Sequence, residues 1–135
     1  MRTMGEHSNV KVINCMTEAA LAGDTEALAK VFTEDVKLHV RGAVPLTGDH
    51  VGVESWVAFV AAIVERTKGS IDLTQLFCIG EGDWAAEWER CVFGIDGTSY
   101  ETMNSFVYRF ENGRIAEMWF INTELPTSAL TAVAT

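Results

Sequence analysis

The order of hydrophobic patterns along the chain is the feature that most restricts its fold. Apolar residues recur every three to four positions in three early segments, which predicts helices over 9–22, 24–32 and 53–67. Residues 36–42 alternate like a strand, and residues 43–52 read as a loop containing Pro45, Gly48 and Gly52. From residue 70 onward, four alternating segments are separated by the turn sequences EGD, GIDG and ENG. Helices followed by a long meander predict an α+β fold, with the helices on one face of a curved antiparallel sheet.

Length and charge restrict the class of protein further. A chain of 135 residues suits one domain, which we place at 8–127 between a disordered N-terminus (1–7) and a C-terminal tail (128–135). The net charge of −9 argues against binding to nucleic acids or to anionic membrane surfaces. Three widely spaced cysteines fit a reducing compartment. Since no signal pattern or membrane-length apolar run is present, a cytoplasmic location is expected.

Three stretches carry a resemblance that covers most of the chain: ALAGDTEALAKVFTEDVKLHV, PLTGDHVGVESWVAFV and FVYRFENGRIAEMWF. They resemble the nuclear-transport-factor-2-like superfamily, and within it the SnoaL-like polyketide cyclases, ketosteroid isomerases and limonene-epoxide hydrolases. The resemblance implies a cone-shaped α+β barrel, a homodimer and chemistry without a cofactor. Alternate apolar residues on the outer sheet face would form the dimer interface: Met103, Val107, Trp119 and Ile121.

The catalytic residues of these families do not carry over to this chain. The three polar positions of the isomerases correspond to Met16, Val40 and Phe106. The first-strand residues that position water in the hydrolases correspond to Leu38 and Val40, and the aspartate on the last strand of hydrolases and cyclases corresponds to Phe120. None of the three acid–base sets is therefore intact.

The strand GDWAAEWERCVF (82–93) leaves two possibilities open. Aligned one way with the hydrolases, Arg90 keeps an arginine while Val92 replaces an aspartate; aligned the other way, Glu87 and Glu89 take those places. Burial of two adjacent carboxylates is costly, so alternation favours Trp88 and Arg90 on the inner face. In the alternative, Glu87 and Glu89 face inward, and one carries a raised pKa and acts as an acid beside an ionised partner.

The sequence thus predicts an apolar pocket with a few polar groups, suited to a small hydrophobic carbonyl or polyketide-like compound. The predicted catalytic residues are Arg90, Asn104 and Asn122. The predicted binding residues are Met16, Leu38, Val40, Phe59, Trp88, Tyr100, Phe106, Met118 and Phe120. No metal site is expected, and His39 should face outward because it alternates with Leu38 and Val40. The expected function is a cofactor-independent cyclase, isomerase or dehydratase, and the alternative is a non-catalytic ligand-binding or dimeric interaction domain.

Overall fold

The computed structural model describes residues 7–42 and 44–124. Its helices are α1 (Ser8–Ala22), α2 (Thr25–Val31) and α3 (Val53–Thr67). Its strands are β1 (Phe32–Gly42), β2 (Gly48–Val51), β3 (Ile71–Glu81), β4 (Trp84–Ile95), β5 (Thr98–Glu111) and β6 (Arg114–Glu124). Apart from residue 7, the predicted disordered N-terminus and C-terminal tail lie outside the described residues.

All six strands form one sheet in the order β2-β1-β6-β5-β4-β3. Neighbours are antiparallel except for β1 and β6, which run parallel. The predicted α+β architecture with three helices on a curved sheet is confirmed. Strand β2 lies within the predicted loop, where a four-residue segment with one apolar residue gives too little alternation to be recognised.

Local signals set the helix boundaries. Gly23 ends α1 in the left-handed conformation (φ 69°), which glycine adopts without steric cost. One residue later, Asp24 caps α2, because its Oδ1 accepts a hydrogen bond from the Ala27 backbone N–H at 3.1 Å. His7, predicted to belong to a loose terminus, caps α1 by accepting from the Asn9 N–H through Nδ1 at 3.1 Å.

The helices bury their apolar faces against the sheet. On α3, Trp56 and Phe59 stack with ring centroids 4.9 Å apart, and both meet Phe120 of β6 edge-on. The buried cluster extends from this group through α1, α2, β1, β4, β5 and β6. No helix in the described part of the chain is long and apolar enough to cross a membrane.

Candidate active site

A cavity of about 570 Å³ opens between the loop before β2, the end of α3 and the inner face of β4–β6. Its volume lies in the range of small-molecule sites. Its lining residues are Gly42, Val44, Pro45, Thr47, Ile63, Arg66, Thr67, Cys91, Phe93, Ile95, Tyr100, Thr102, Asn104, Phe120 and Asn122. A smaller cavity of about 80 Å³ shares four of these residues and adds side chains of α1 and α3. Glu89 lines the smaller cavity.

The register of β4 against β5 decides which side chains of β4 face inward. Glu89 pairs with Asn104, and Glu87 pairs with Phe106. Residues directly opposite each other in an antiparallel pair lie on the same face of the sheet. Because Asn104 and Phe106 are buried, Glu87 and Glu89 are buried too, with 2% and 5% of their surfaces exposed.

The predicted inward orientation of Trp88 and Arg90 is therefore wrong. Trp88 is 47% exposed and packs against Phe77 on the outer face. Arg90 donates from Nε to Oε2 of Glu101 at 2.5 Å, also on the outer face. Arg90 lines neither cavity, so its proposed contact with a ligand has no geometric support.

Hydrogen bonds explain how two inward carboxyl groups are tolerated. The Tyr108 hydroxyl donates to Glu87 Oε1 at 2.6 Å, and the Gln75 amide donates to Glu87 Oε2 at 2.8 Å. Glu89 Oε1 accepts from the Asn104 amide at 2.9 Å. Such bonds replace part of the hydration that burial removes, so the cost of desolvation that favoured the opposite orientation is partly offset.

The remaining cost of burial appears in the protonation behaviour of both carboxyl groups. Burial, reinforced by the charge of Glu87 and opposed by the Asn104 hydrogen bond, raises the pKa of Glu89 from 4.5 to about 7. Burial also raises the pKa of Glu87, while hydrogen bonds from Tyr108 and Gln75 oppose the change. Glu89 therefore exchanges a proton readily near neutral pH, as a general acid or base requires.

Two of the predicted catalytic residues extend this group across the sheet. Asn104 and Asn122 are buried register partners on β5 and β6, and the Asn122 amide donates to Asn104 Oδ1 at 2.7 Å. Glu89, Asn104 and Asn122 thus form a row across three adjacent strands, which we term the amide row. Beyond Asn122, the register position on β1 is Gly42, which has no side chain.

Three buried polar atoms of residues in the cavity walls have no hydrogen-bond partner among the described residues. They are Oδ1 of Asn122 and Oγ1 of Thr102, in the larger cavity, and Nε1 of Trp56, a residue of the smaller cavity. The Thr102 hydroxyl lies close to the Cys91 thiol. Native structures leave few buried polar groups unpaired, so Asn122 Oδ1 and Trp56 Nε1 are candidates for contact with a ligand. The Cys91 thiol also lies in both walls, but burial raises its pKa to about 11 and keeps it a neutral thiol.

The other predicted binding residues divide between the cavities and the core. Met16, Phe59, Phe106 and Phe120 line the smaller cavity, and Tyr100 lines the larger one. The rest of the set are core residues that line neither cavity: Leu38, Val40 and Met118.

His39 faces outward, as predicted. Its ring nitrogens bond to Asp49 at 2.9 Å and to Glu117 at 2.7 Å, and the ring stacks on Trp119. These two carboxylates raise the pKa of His39. In residues 7–42 and 44–124 no group of three or more histidine, cysteine or acidic side chains is arranged to hold a metal ion.

The fold resembles that of several proteins of known structure. Bal32a, from a soil-derived mobile gene cassette, is 22% identical, with a TM-score of 0.75 over 85% of this chain and 88% of its own. IdmH from Streptomyces antibioticus, a proposed polyketide cyclase, is 19% identical, with a TM-score of 0.72 over 96% of this chain and 100% of its own. An NTF2-like protein from Burkholderia xenovorans LB400 is 18% identical, with a TM-score of 0.72 over 98% of this chain and 99% of its own.

At such identities these structures establish the fold alone. No curated protein sequence matches the chain. The model of the SnoaL-like domain, in contrast, matches residues 13–118, which include all three helices in large part, five complete strands and the start of β6. The chain therefore belongs to the SnoaL-like domain family.

Proposed function

We propose that the protein is a cofactor-independent enzyme that transfers protons next to a carbonyl group of a small hydrophobic compound. The observation that carries the proposal is Glu89, a buried carboxyl group with a pKa near 7 at the wall of an apolar cavity. An acid whose pKa lies close to the working pH is both sufficiently ionised to accept a proton and sufficiently acidic to return it.

In the proposed reaction, ionised Glu89 removes a proton from the carbon beside the carbonyl group. The electron pair of the C–H bond forms an enolate, whose oxygen receives a hydrogen bond from Nε1 of Trp56, a buried donor without a described partner. Return of the proton at another carbon gives isomerisation. Attack of the enolate carbon on a second carbonyl gives cyclisation, and loss of a hydroxyl group as water gives dehydration.

The surroundings of Glu89 suit this role. Apart from Glu89 and Asn104, the smaller cavity is walled mostly by aliphatic and aromatic side chains, including Phe106 and Phe120. A dry wall keeps the pKa of Glu89 high and strengthens each hydrogen bond to a developing charge. IdmH, the proposed polyketide cyclase with the same fold, is consistent with ligands of this chemical class.

Hydrogen–deuterium exchange tests the proposal without the natural substrate. Purified protein in D₂O is incubated with cyclic ketones and enones such as 1-tetralone, and loss of the proton signal beside the carbonyl is followed by NMR. We expect the wild type to accelerate exchange, with a rate that rises through about pH 7 as Glu89 ionises. Glu89→Gln should lower the rate by about 100-fold or more.

Glu101→Gln is the matched control, because it makes the same change on the outer face, where Glu101 pairs with Arg90. It should leave the exchange rate unchanged. Ketones that bind without any exchange, or equal rates for the wild type and Glu89→Gln, would exclude the proposed chemistry and favour the non-catalytic ligand-binding domain.

A further inference from the structure

The amide row ends at the larger cavity with the side-chain oxygen of Asn122. Asn122 donates through Nδ2 to Asn104, so its Oδ1 points away from Asn104, and this oxygen accepts no hydrogen bond from the described residues. Asn122 is only 7% exposed. Gly42, the next register position, offers no side chain and itself lines the cavity. Asn122 Oδ1 is thus an unpaired acceptor of a residue in the wall of the larger cavity.

Each amide in the row is oriented by its neighbour on the β4 side. An ionised carboxylate only accepts hydrogen bonds, so Glu89 must receive the NH₂ group of Asn104. The oxygen of Asn104 then faces β6 and must receive the NH₂ group of Asn122. The charge on Glu89 thus fixes which end of Asn122 reaches the cavity.

Protonation of Glu89 permits the reverse arrangement. A protonated carboxyl group donates one O–H, which Asn104 can accept through Oδ1 once its amide turns over. Asn104 then donates to Asn122 Oδ1, and Asn122 presents its NH₂ group to the cavity. The oxygen and nitrogen of an amide are nearly the same size, so the two arrangements fit the same space.

We propose that Asn122, at the end of the amide row, binds a second polar group of the ligand. Its preference for a hydroxyl group over a carbonyl group depends on whether Glu89 is ionised or protonated. When Glu89 is ionised, Asn122 Oδ1 accepts a hydrogen bond and so prefers a ligand hydroxyl group, which can donate one. When Glu89 is protonated, the Asn122 NH₂ group donates instead, and it binds a ligand carbonyl group as readily as a hydroxyl group. The preferred ligand is thus a hydrophobic carbonyl compound that also carries a hydroxyl group. This inference rests on the proposed function, which places the first carbonyl group near Trp56.

The charged and titratable groups around Glu89 do not supply a competing explanation. The Cys91 thiol and the Tyr108 hydroxyl have raised pKa values because both are buried, and both stay neutral near pH 7. Neither α1 nor β6 contributes a titratable side chain to either cavity. The other charged or titratable groups in the cavity walls or beside Glu89 and Cys91 are Glu87 on β4, Asp72 on β3, Tyr100 on β5 and Arg66 at the end of α3.

Matched ligands test the proposal on the wild-type protein alone. Two series of isomeric 1-tetralones carry either a hydroxymethyl or a formyl group at the same ring position; these groups are similar in size and neither ionises. Dissociation constants are measured by calorimetry from about pH 5.5 to about pH 8.5, a range that brackets the pKa of Glu89. At high pH the hydroxymethyl compound should bind roughly tenfold tighter than its formyl partner, because a formyl group leaves Asn122 Oδ1 unpaired. That preference should largely disappear at low pH.

Variants separate the amide row from a direct effect of Glu89. Asn104→Leu breaks the row while retaining the carboxyl group of Glu89, so the preference should lose its pH dependence. Glu87→Gln removes the neighbouring carboxyl group and should keep the pH dependence. An unchanged pH dependence in Asn104→Leu, a preference that does not vary with pH in the wild type, or no binding of either series would overturn the inference. In the first two of these cases the proposed function would still stand if the wild type accelerates proton exchange and Glu89→Gln does not.

Discussion

Replacing Glu89 with glutamine should make the protein more stable at alkaline pH. The buried carboxyl group has a pKa of about 7 in the folded protein, against an ordinary value of 4.5. Because the folded pKa is raised, the proton on Glu89 contributes stability that is complete below pH 4.5 and is lost as the pH rises through about 7.

The size of the effect follows from the two pKa values. The full difference corresponds to about 3 kcal/mol, of which about 2.5 kcal/mol is lost between about pH 5 and about pH 8. Glutamine has no proton to lose and can still accept the hydrogen bond from Asn104. The free energy of unfolding of Glu89→Gln, relative to the wild type, should therefore rise by about 2.5 kcal/mol across this range.

Urea unfolding at a series of pH values, followed by tryptophan fluorescence, measures the difference. Titrating groups that do not interact with Glu89, such as His39, are common to both proteins and cancel in the comparison. Glu101→Gln serves as the control: ion pairing with Arg90 lowers the pKa of Glu101, so its contribution changes only at acid pH. Parallel stability profiles for the wild type and Glu89→Gln would refute the claim that burial of Glu89 costs free energy.

Three further changes test other parts of the structure. His39→Gln should cost up to about 1 kcal/mol at pH 5.5 and less at pH 8, because Asp49 and Glu117 raise the pKa of a largely accessible ring; thermal unfolding at both pH values measures this. Gly42→Ala should destabilise the protein by more than about 2 kcal/mol in urea unfolding, since its Cβ would lie 2.1 Å from the backbone carbonyl oxygen of Asn122. Gly52→Ala is the control and should cost less, because Gly52 also has a positive φ but its Cβ would lie in open space. Val107→Glu on the outer face should convert the proposed homodimer to a monomer in analytical ultracentrifugation; a wild-type monomer would contradict the proposed interface.

Most of the fold could be predicted because its signals are local. Asp24 and Gly23 mark the boundary between α1 and α2 through a side-chain cap and a positive φ, and both devices are visible in the sequence. The turn glycines Gly97 and Gly113 likewise define the hairpins of the meander. Strand β2 could not be found in this way, because its pairing with β1 is a long-range interaction with no periodicity of its own.

The candidate site could be predicted only in part, because side chains that meet across strands are not neighbours in the sequence. Alternation correctly placed Asn104 and Asn122 on the inner face. Nothing in the sequence shows that Asn122 lies beside Gly42, since that contact depends on the parallel pairing of β1 with β6. The unpaired donor of Trp56 depends in the same way on how α3 packs over the sheet.

The orientation of β4, in contrast, was decidable from features that the sequence contains. Asp96 and Gly97 form a two-residue turn with positive φ at both positions, which pairs Ile95 with Thr98 and so sets the entire register. Counting back from that turn brings Glu89 opposite Asn104, and two opposed residues share one face. An inward Asn104 therefore requires an inward Glu89. Apolar content misleads on this strand because the outer face of the sheet is also apolar, so the register of the hairpin is the stronger guide to which face looks inward.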